Sequence, residues 1–210
     1  MENTAEYIKN YGLATAVALL VFVAVVFIYR YTKKKNEGGF VNDALKSESR
    51  ERGLGAARKL LERYADFKDV KILGNVTIDD TVIDLVRISY YGVTAIKVFD
   101  YAGDIYYDGK SSVVSRVADG KKERINSPFP QAEKEARVLG QFLRSEKFYN
   151  LTCDGKVFFT NKNTTPIVPS SVKYITVSNI KKFFAAAPYN EDKGVDSEAV
   201  YQLLKKYSAE

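Results

Sequence analysis

The 210-residue chain contains no histidine, and its one cysteine is Cys153. Without an imidazole there is no Ser-His-Asp or Cys-His catalysis and no His-ligated metal, and one thiol makes neither a zinc site nor an internal disulfide. Cys153, in the strand-like stretch NLTCDGKVFF, therefore reads as an inert thiol. Any catalysis falls to Asp, Glu, Lys, Arg, Tyr, Ser or Thr. Low-complexity tracts and internal repeats are also lacking. Hydrophobic residues at 46% and charged residues at 28% are ordinary for a folded protein, and the length suits one globular unit with an accessory segment.

Charge of one sign is only mildly in excess. The net charge is +6, of which the first 37 residues contribute +2, from five Lys or Arg and three Glu. The remaining +4 is too diffuse to assign a nucleic-acid partner by itself.

From Asn10 to Tyr29 no charge occurs in NYGLATAVALLVFVAVVFIY, and twenty helical residues span about 30 Å, the thickness of a bilayer core. No polar face exists anywhere along the run. Tyr11, Tyr29 and Tyr31 stand where interfacial aromatics are expected. Arg30, Lys33, Lys34 and Lys35 follow the run, whereas a secretory signal carries its positive charge before it. The positive-inside bias predicts an N-terminus outside and a soluble domain in the cytoplasm, and the single cysteine agrees with a reducing compartment.

Beyond the polar linker KKKNEGGF, the segment GLGAARKLLERYADF has helical spacing, with Ala57, Leu60, Leu61 and Tyr64 on one face. The period then shortens to two. VKILGNVTI, TVIDLVRIS, GVTAIKVFD, GDIYYDG and SSVVSRV read as strands, with Asp108 and Gly109 as a hairpin turn. QAEKEARVLGQFLRS is helical, with Pro130 in its first turn. KVFFTN and VKYITV read as strands, SNIKKFFAAA as a short helix capped by Ser178 or Asn179, and the last segment as a helix capped by Asp196. This order predicts an α/β sandwich around one mixed sheet.

Three stretches resemble the nuclease-related domain (NERD) family, a relative of the restriction-endonuclease-like fold, over about residues 53 to 180. TVIDLVRISYYGVTAIKVFDYAGDIY is similar without gaps to the family's Ile-Asp strand, Tyr-Gly turn and second strand ending Glu-x-Lys, with Asp84, Gly92, Tyr101 and Gly103 on family positions. SPFPQAEKEARVLGQFL is similar to its Asn-Pro-x-x-Gln helix start, keeping Pro128 and Gln131, and GLGAARKLL resembles its Gly-Glu helix opening. The resemblance implies a mixed sheet flanked by helices, here preceded by a single transmembrane helix. It also implies a site where acids hold Mg²⁺ and a lysine positions the attacking water.

This chain departs from that site. Lys97 fills the acid position, Phe99 the lysine position and Ala56 the helix glutamate, so that Asp84 alone remains. An ammonium in place of a carboxylate repels a dication by about 4 kcal/mol per unit charge at ~4 Å and an effective dielectric of ~20. We therefore expect no metal, no catalytic residue, an Asp84–Lys97 ion pair within ~4 Å, and Phe99 as core filling. Arg87 reads as a solvated or phosphate-facing cation. Lys110, Arg116, Lys121, Lys122 and Arg124 read as a solvated hairpin surface or as phosphate contacts on a cleft rim.

The resulting organisation is an extracytoplasmic N-terminus at 1–10, a membrane helix at 11–31, a basic linker at 32–41, a NERD-like domain at 42–187, and a C-terminal linker and helix at 188–210. The leading expectation is a membrane-anchored, inactive nuclease-related module that binds or scaffolds, with the bilayer and an unidentified protein or nucleic acid as partners. Nucleic-acid binding without cleavage, and a Mg²⁺-dependent nuclease with displaced ligands, stay open beside it.

Overall fold

The computed structural model describes residues 50–64 and 69–209. The apolar run at 10–29 and the linker at 32–41 lie outside the described residues. Among the described residues, no helix is long and apolar enough to cross a membrane.

Helix α1 is described over residues 50–64. Ala57 and Leu61 are buried and Leu60 and Tyr64 pack beside them, as the helical spacing predicts. Strands β1 (Lys71–Ile78), β2 (Thr81–Ser89) and β3 (Gly92–Phe99) follow as an antiparallel meander. The turn into β3 needs Gly92, whose φ is +152° and where a Cβ would collide with the Thr152 carbonyl oxygen. Three shorter strands come next, β4 (Gly103–Tyr106), β5 (Val113–Ala118) and β6 (Lys121–Asn126), followed by the long helix α2 (Pro128–Ser145). Then come β7 (Cys153–Phe159), β8 (Thr164–Ile167), β9 (Ile175–Thr176), α3 (Ile180–Ala185) and α4 (Ser197–Lys205).

The strands form two sheets rather than the single one predicted. The first has five strands in the order β1-β2-β3-β7-β9 and is mixed, because β7 runs parallel to β3 after the long connection through α2. The second has four strands in the order β6-β5-β4-β8. Strands β6 and β8 escape the sequence pattern because KKERIN and TTPI lack an apolar alternation. Edge strands with a solvated face do not require one.

Helices α2 and α4 cover one face of the first sheet, where Leu139, Leu143, Val200 and Leu204 pack on Val86, Ile88, Val93 and Ala95. Helices α1 and α3 cover the other, where Ala57, Leu61, Ile180 and Phe184 pack on Leu85, Ile96 and Phe158. The α4 cap is as expected, Asp196 accepting the Ala199 N–H at 2.9 Å. Asn179 caps α3 by position but makes no side-chain cap bond; its amide oxygen instead accepts the Thr176 N–H. Helix α2 lies so close on β7 that a Cβ at Gly155 would meet the Ala132 carbonyl. That close approach sets the depth at which α2 delivers its next buried turn to the site.

Candidate functional site

Asp84 sits where β2 and β3 part. The ladder between them runs from Leu85↔Ile96 to Ser89↔Gly92, and beyond Leu85 the Asp84 carboxylate takes over from the backbone, its Oδ2 accepting the Val98 N–H at 3.1 Å. The side chain is fully buried. A buried carboxylate is costly without partners, and this one has two cations as well. Lys97 Nζ stands 3.2 Å from Oδ2, within the ~4 Å expected for an ion pair, and Arg50 Nη2 donates to Oδ1 at 2.5 Å.

The opposite side of Lys97 meets an acid that the sequence reading missed. Its ammonium donates to Glu135 Oε1 at 2.8 Å, and Glu135, on the buried face of α2, is itself buried. Glu135 Oε2 has no hydrogen-bond partner among the described residues. Burial raises the Glu135 carboxyl above its ordinary value, against the opposing pull of Lys97. One signal was available: Glu135 stands inside the apolar row of Ala132, Ala136, Leu139 and Leu143, where a solvated glutamate does not belong. Arg50 carried no such signal. The site is thus two carboxylates and two cations, with the Lys97 ammonium in the space between the carboxylates. Among the described residues no cluster of three or more Cys, Asp or Glu is arranged to hold a metal ion.

The other residues of the expected site lie around this centre without joining it. Phe99 is buried in an aromatic cluster, 4.7 Å from the Tyr101 ring and 5.5 Å from that of Phe159. Ala56 is exposed on α1, and Gln131 is exposed one turn before Glu135. Asp100 faces away from Phe99, accepting from Thr160 Oγ1 at 3.0 Å on the α1 side. Cys153 Sγ donates to the Ala136 carbonyl, and burial pushes its thiol up to about 12.

Arg87 departs from the expectation of a solvated or phosphate-facing cation, because it is buried. Strand alternation sends it to the face covered by α3, where its guanidinium lies 4.3 Å from the Phe184 ring centre and donates to Ser89 Oγ at 3.0 Å. Burial lowers it to about 10, with Tyr90 and Asp154 opposing. It shares a register row with Thr94 and Asp154, and Tyr189 O–H donates to the latter at 2.5 Å.

The five remaining cations do not form one rim. In the register of β5 with β6, Arg116 pairs with Glu123 and Ser115 with Arg124, so that Lys122 and Arg124 face one side of the second sheet and Lys121 and Arg116 the other. Arg116 is already engaged, donating to the Ala102 carbonyl at 2.6 Å and to Glu123 at 3.1 Å. Lys110 is exposed in the turn that Asp108 closes by accepting the Lys110 and Ser111 N–H groups. Lys122 and Arg124 border a shallow cavity of about 590 Å³ with Tyr106, Ser115 and Ile167.

A buried acid where two central strands part, a charged residue two positions before the second strand ends, and helices on both faces of a mixed sheet fit the restriction-endonuclease-like class of α/β domains. The model of the nuclease-related domain family matches residues 49–160, more than half of the 210-residue chain, and the chain belongs to that family. No curated protein and no solved structure matches it. The matched stretch ends at the close of β7, so β8, β9, α3 and α4 lie beyond it.

Proposed function

We propose that this chain is a membrane-anchored nuclease-related protein without metal-dependent cleavage, acting as a binding or scaffolding module on the cytoplasmic side. The observation that carries the reading is the Lys97 ammonium, 3.2 Å from Asp84 and 2.8 Å from Glu135. A hard divalent cation needs several oxygen ligands at one open position. Here the converging oxygens meet a fixed cation, and the position of the catalytic lysine holds the core side chain Phe99. The residues do not fit Mg²⁺. Anchoring is supported by the uncharged run at 10–29 and the basic residues after it.

The test uses the full chain in detergent, incubated with DNA and with RNA over a range of Mg²⁺ and Mn²⁺. No metal-dependent cleavage is expected. Cleavage abolished by Asp84→Ala would overturn the reading in favour of a nuclease with displaced ligands.

Nucleic-acid binding without cleavage is a second reading, favoured by the outer face of the second sheet. Tyr106 is exposed there beside Lys122 and Arg124, which offers a ring for stacking and two cations for phosphates, with Asp104 on the same face subtracting a charge. Salt-dependent retention of single-stranded nucleic acid that is lost in Lys122→Ala with Arg124→Ala would support it. Binding indifferent to those substitutions would count against it.

A further inference from the structure

The net charge of the compact unit is concentrated in one layer. Residues 49–210 hold 26 Lys or Arg and 21 Asp or Glu, a net of +5. Helix α1, over 50–64, has five cations against Glu51 and Glu62, and α3 adds Lys181 and Lys182 with no acid. Three charges from α1 and two from α3 equal the net +5, and with Arg50 committed to the buried Asp84 the two helices keep a net of +4.

Both helices belong to the same face of the first sheet. Ala57 and Leu61 of α1 and Ile180 and Phe184 of α3 share one core cluster. With those side chains turned inward, Lys59, Arg63, Lys181 and Lys182 are exposed. Glu62 is engaged by Arg58 at 2.6 Å, which leaves Glu51 as the other acid of the two helices. Among the described residues, the exposed large apolar side chains, Val82, Tyr106, Tyr149, Ile167 and Tyr207, all lie on other elements. The layer therefore offers positive charge without an exposed ring for stacking bases and without a wedge for insertion into hydrocarbon. Lys181 and Lys182 also lie beyond the family-matched residues.

We propose that the outer surface of α1 and α3 docks on anionic phospholipid headgroups. The inference rests on the reading of residues 11–31 as a bilayer anchor. Residues 32–49 separate that segment from α1, and fully extended they reach up to about 60 Å. A tethered domain meets the surface at high effective concentration, so a weak and non-specific attraction is enough to orient it. The attraction is electrostatic, acts within a Debye length of ~8 Å at physiological salt, and is abolished by added salt.

The experiment reconstitutes the full chain in nanodiscs of phosphatidylcholine alone and of phosphatidylcholine mixed with phosphatidylserine. Lysine acetylation is read by mass spectrometry at Lys59, Lys181 and Lys182, with Lys121 and Lys122 of β6 as internal references. Phosphatidylserine is expected to slow labelling of the first three several-fold at low salt, to leave the references unchanged, and to lose its effect at high salt. Lys181→Glu with Lys182→Glu, both at exposed positions, is expected to abolish the protection of Lys59. Equal labelling in the two lipid mixtures, with the chain still retained in the disc, overturns the docking face and leaves the anchor standing. Release of the chain from vesicles by alkaline carbonate overturns the anchor instead. Protection of the same lysines by DNA in phosphatidylcholine discs overturns the lipid assignment in favour of nucleic acid.

Discussion

Lys97 is the cation shared by Asp84 and Glu135, and both of those carboxylates are buried. Removing one partner of a buried ionic cluster leaves uncompensated charge, which costs more than the pair contributes when intact. Lys97→Met keeps the length of the stem and removes the ammonium. Because Arg50 still serves Asp84, we expect a loss of about 2–4 kcal/mol in urea unfolding, and an unchanged midpoint would refute the shared role. Glu135 adds a dependence on pH. A carboxyl raised in the folded state contributes stability that is fully present below its unfolded value and is lost as pH rises through the folded one. Glu135→Gln cannot ionise, so its stability is expected to gain on the native protein as pH rises above the ordinary glutamate value of 4.5 towards neutrality. Urea midpoints measured across that range would show it, and parallel curves for the two proteins would count against it.

At the scale of the element, end chemistry and alternation decide what each segment presents. Asp196 satisfies an N–H in the first turn of α4 and stands next to Glu198, whose carboxylate pairs with Lys71 at 2.6 Å. Asp196→Ala is expected to cost about 1 kcal/mol of stability, and Asp196→Ser to restore most of it, by urea or thermal unfolding. Alternation also explains how β2 serves two different ends. Asp84 leaves the ladder and turns to Lys97, while Arg87, three residues on, points to the α3 side and stacks on Phe184. In the second sheet the same period divides five cations between two faces and a turn, so that a cluster in the string is not a cluster on the surface.

At the scale of the whole molecule, the C-terminal segment belongs to the core although it lies beyond the family-matched residues. Val200 and Leu204 are fully buried against β1 and β2, Thr77 N–H donates to the Tyr207 carbonyl, and Tyr189 closes the end of the sheet near Asp154. Ending the chain after Ala187 exposes this surface. Two buried aliphatic side chains alone represent about 3–6 kcal/mol, so the truncated chain is expected to lose its cooperative thermal transition, which circular dichroism would show. A transition retained at the native temperature would mean that the segment is dispensable to the fold.

Period, turn chemistry and charge spacing are local properties, and they were enough to define the strands β1 to β3, α2 and the capped α4 from the residues alone. The expectation of an Asp84–Lys97 pair came instead from the family resemblance and the charges at its site positions, and the hairpin between β2 and β3 brings the two side chains within 3.2 Å. The split into two sheets, the burial of Arg87, and the arrival of Arg50 and Glu135 at Asp84 were decided by tertiary structure. Those contacts join residues 34 and 38 positions apart, Arg50 with Asp84 and Lys97 with Glu135, through helices packed on the sheet. No local pattern encodes which helical turn will face which strand. That depends on how closely the backbones approach, as at Gly155 beneath Ala132, and on the cost of leaving a buried charge alone.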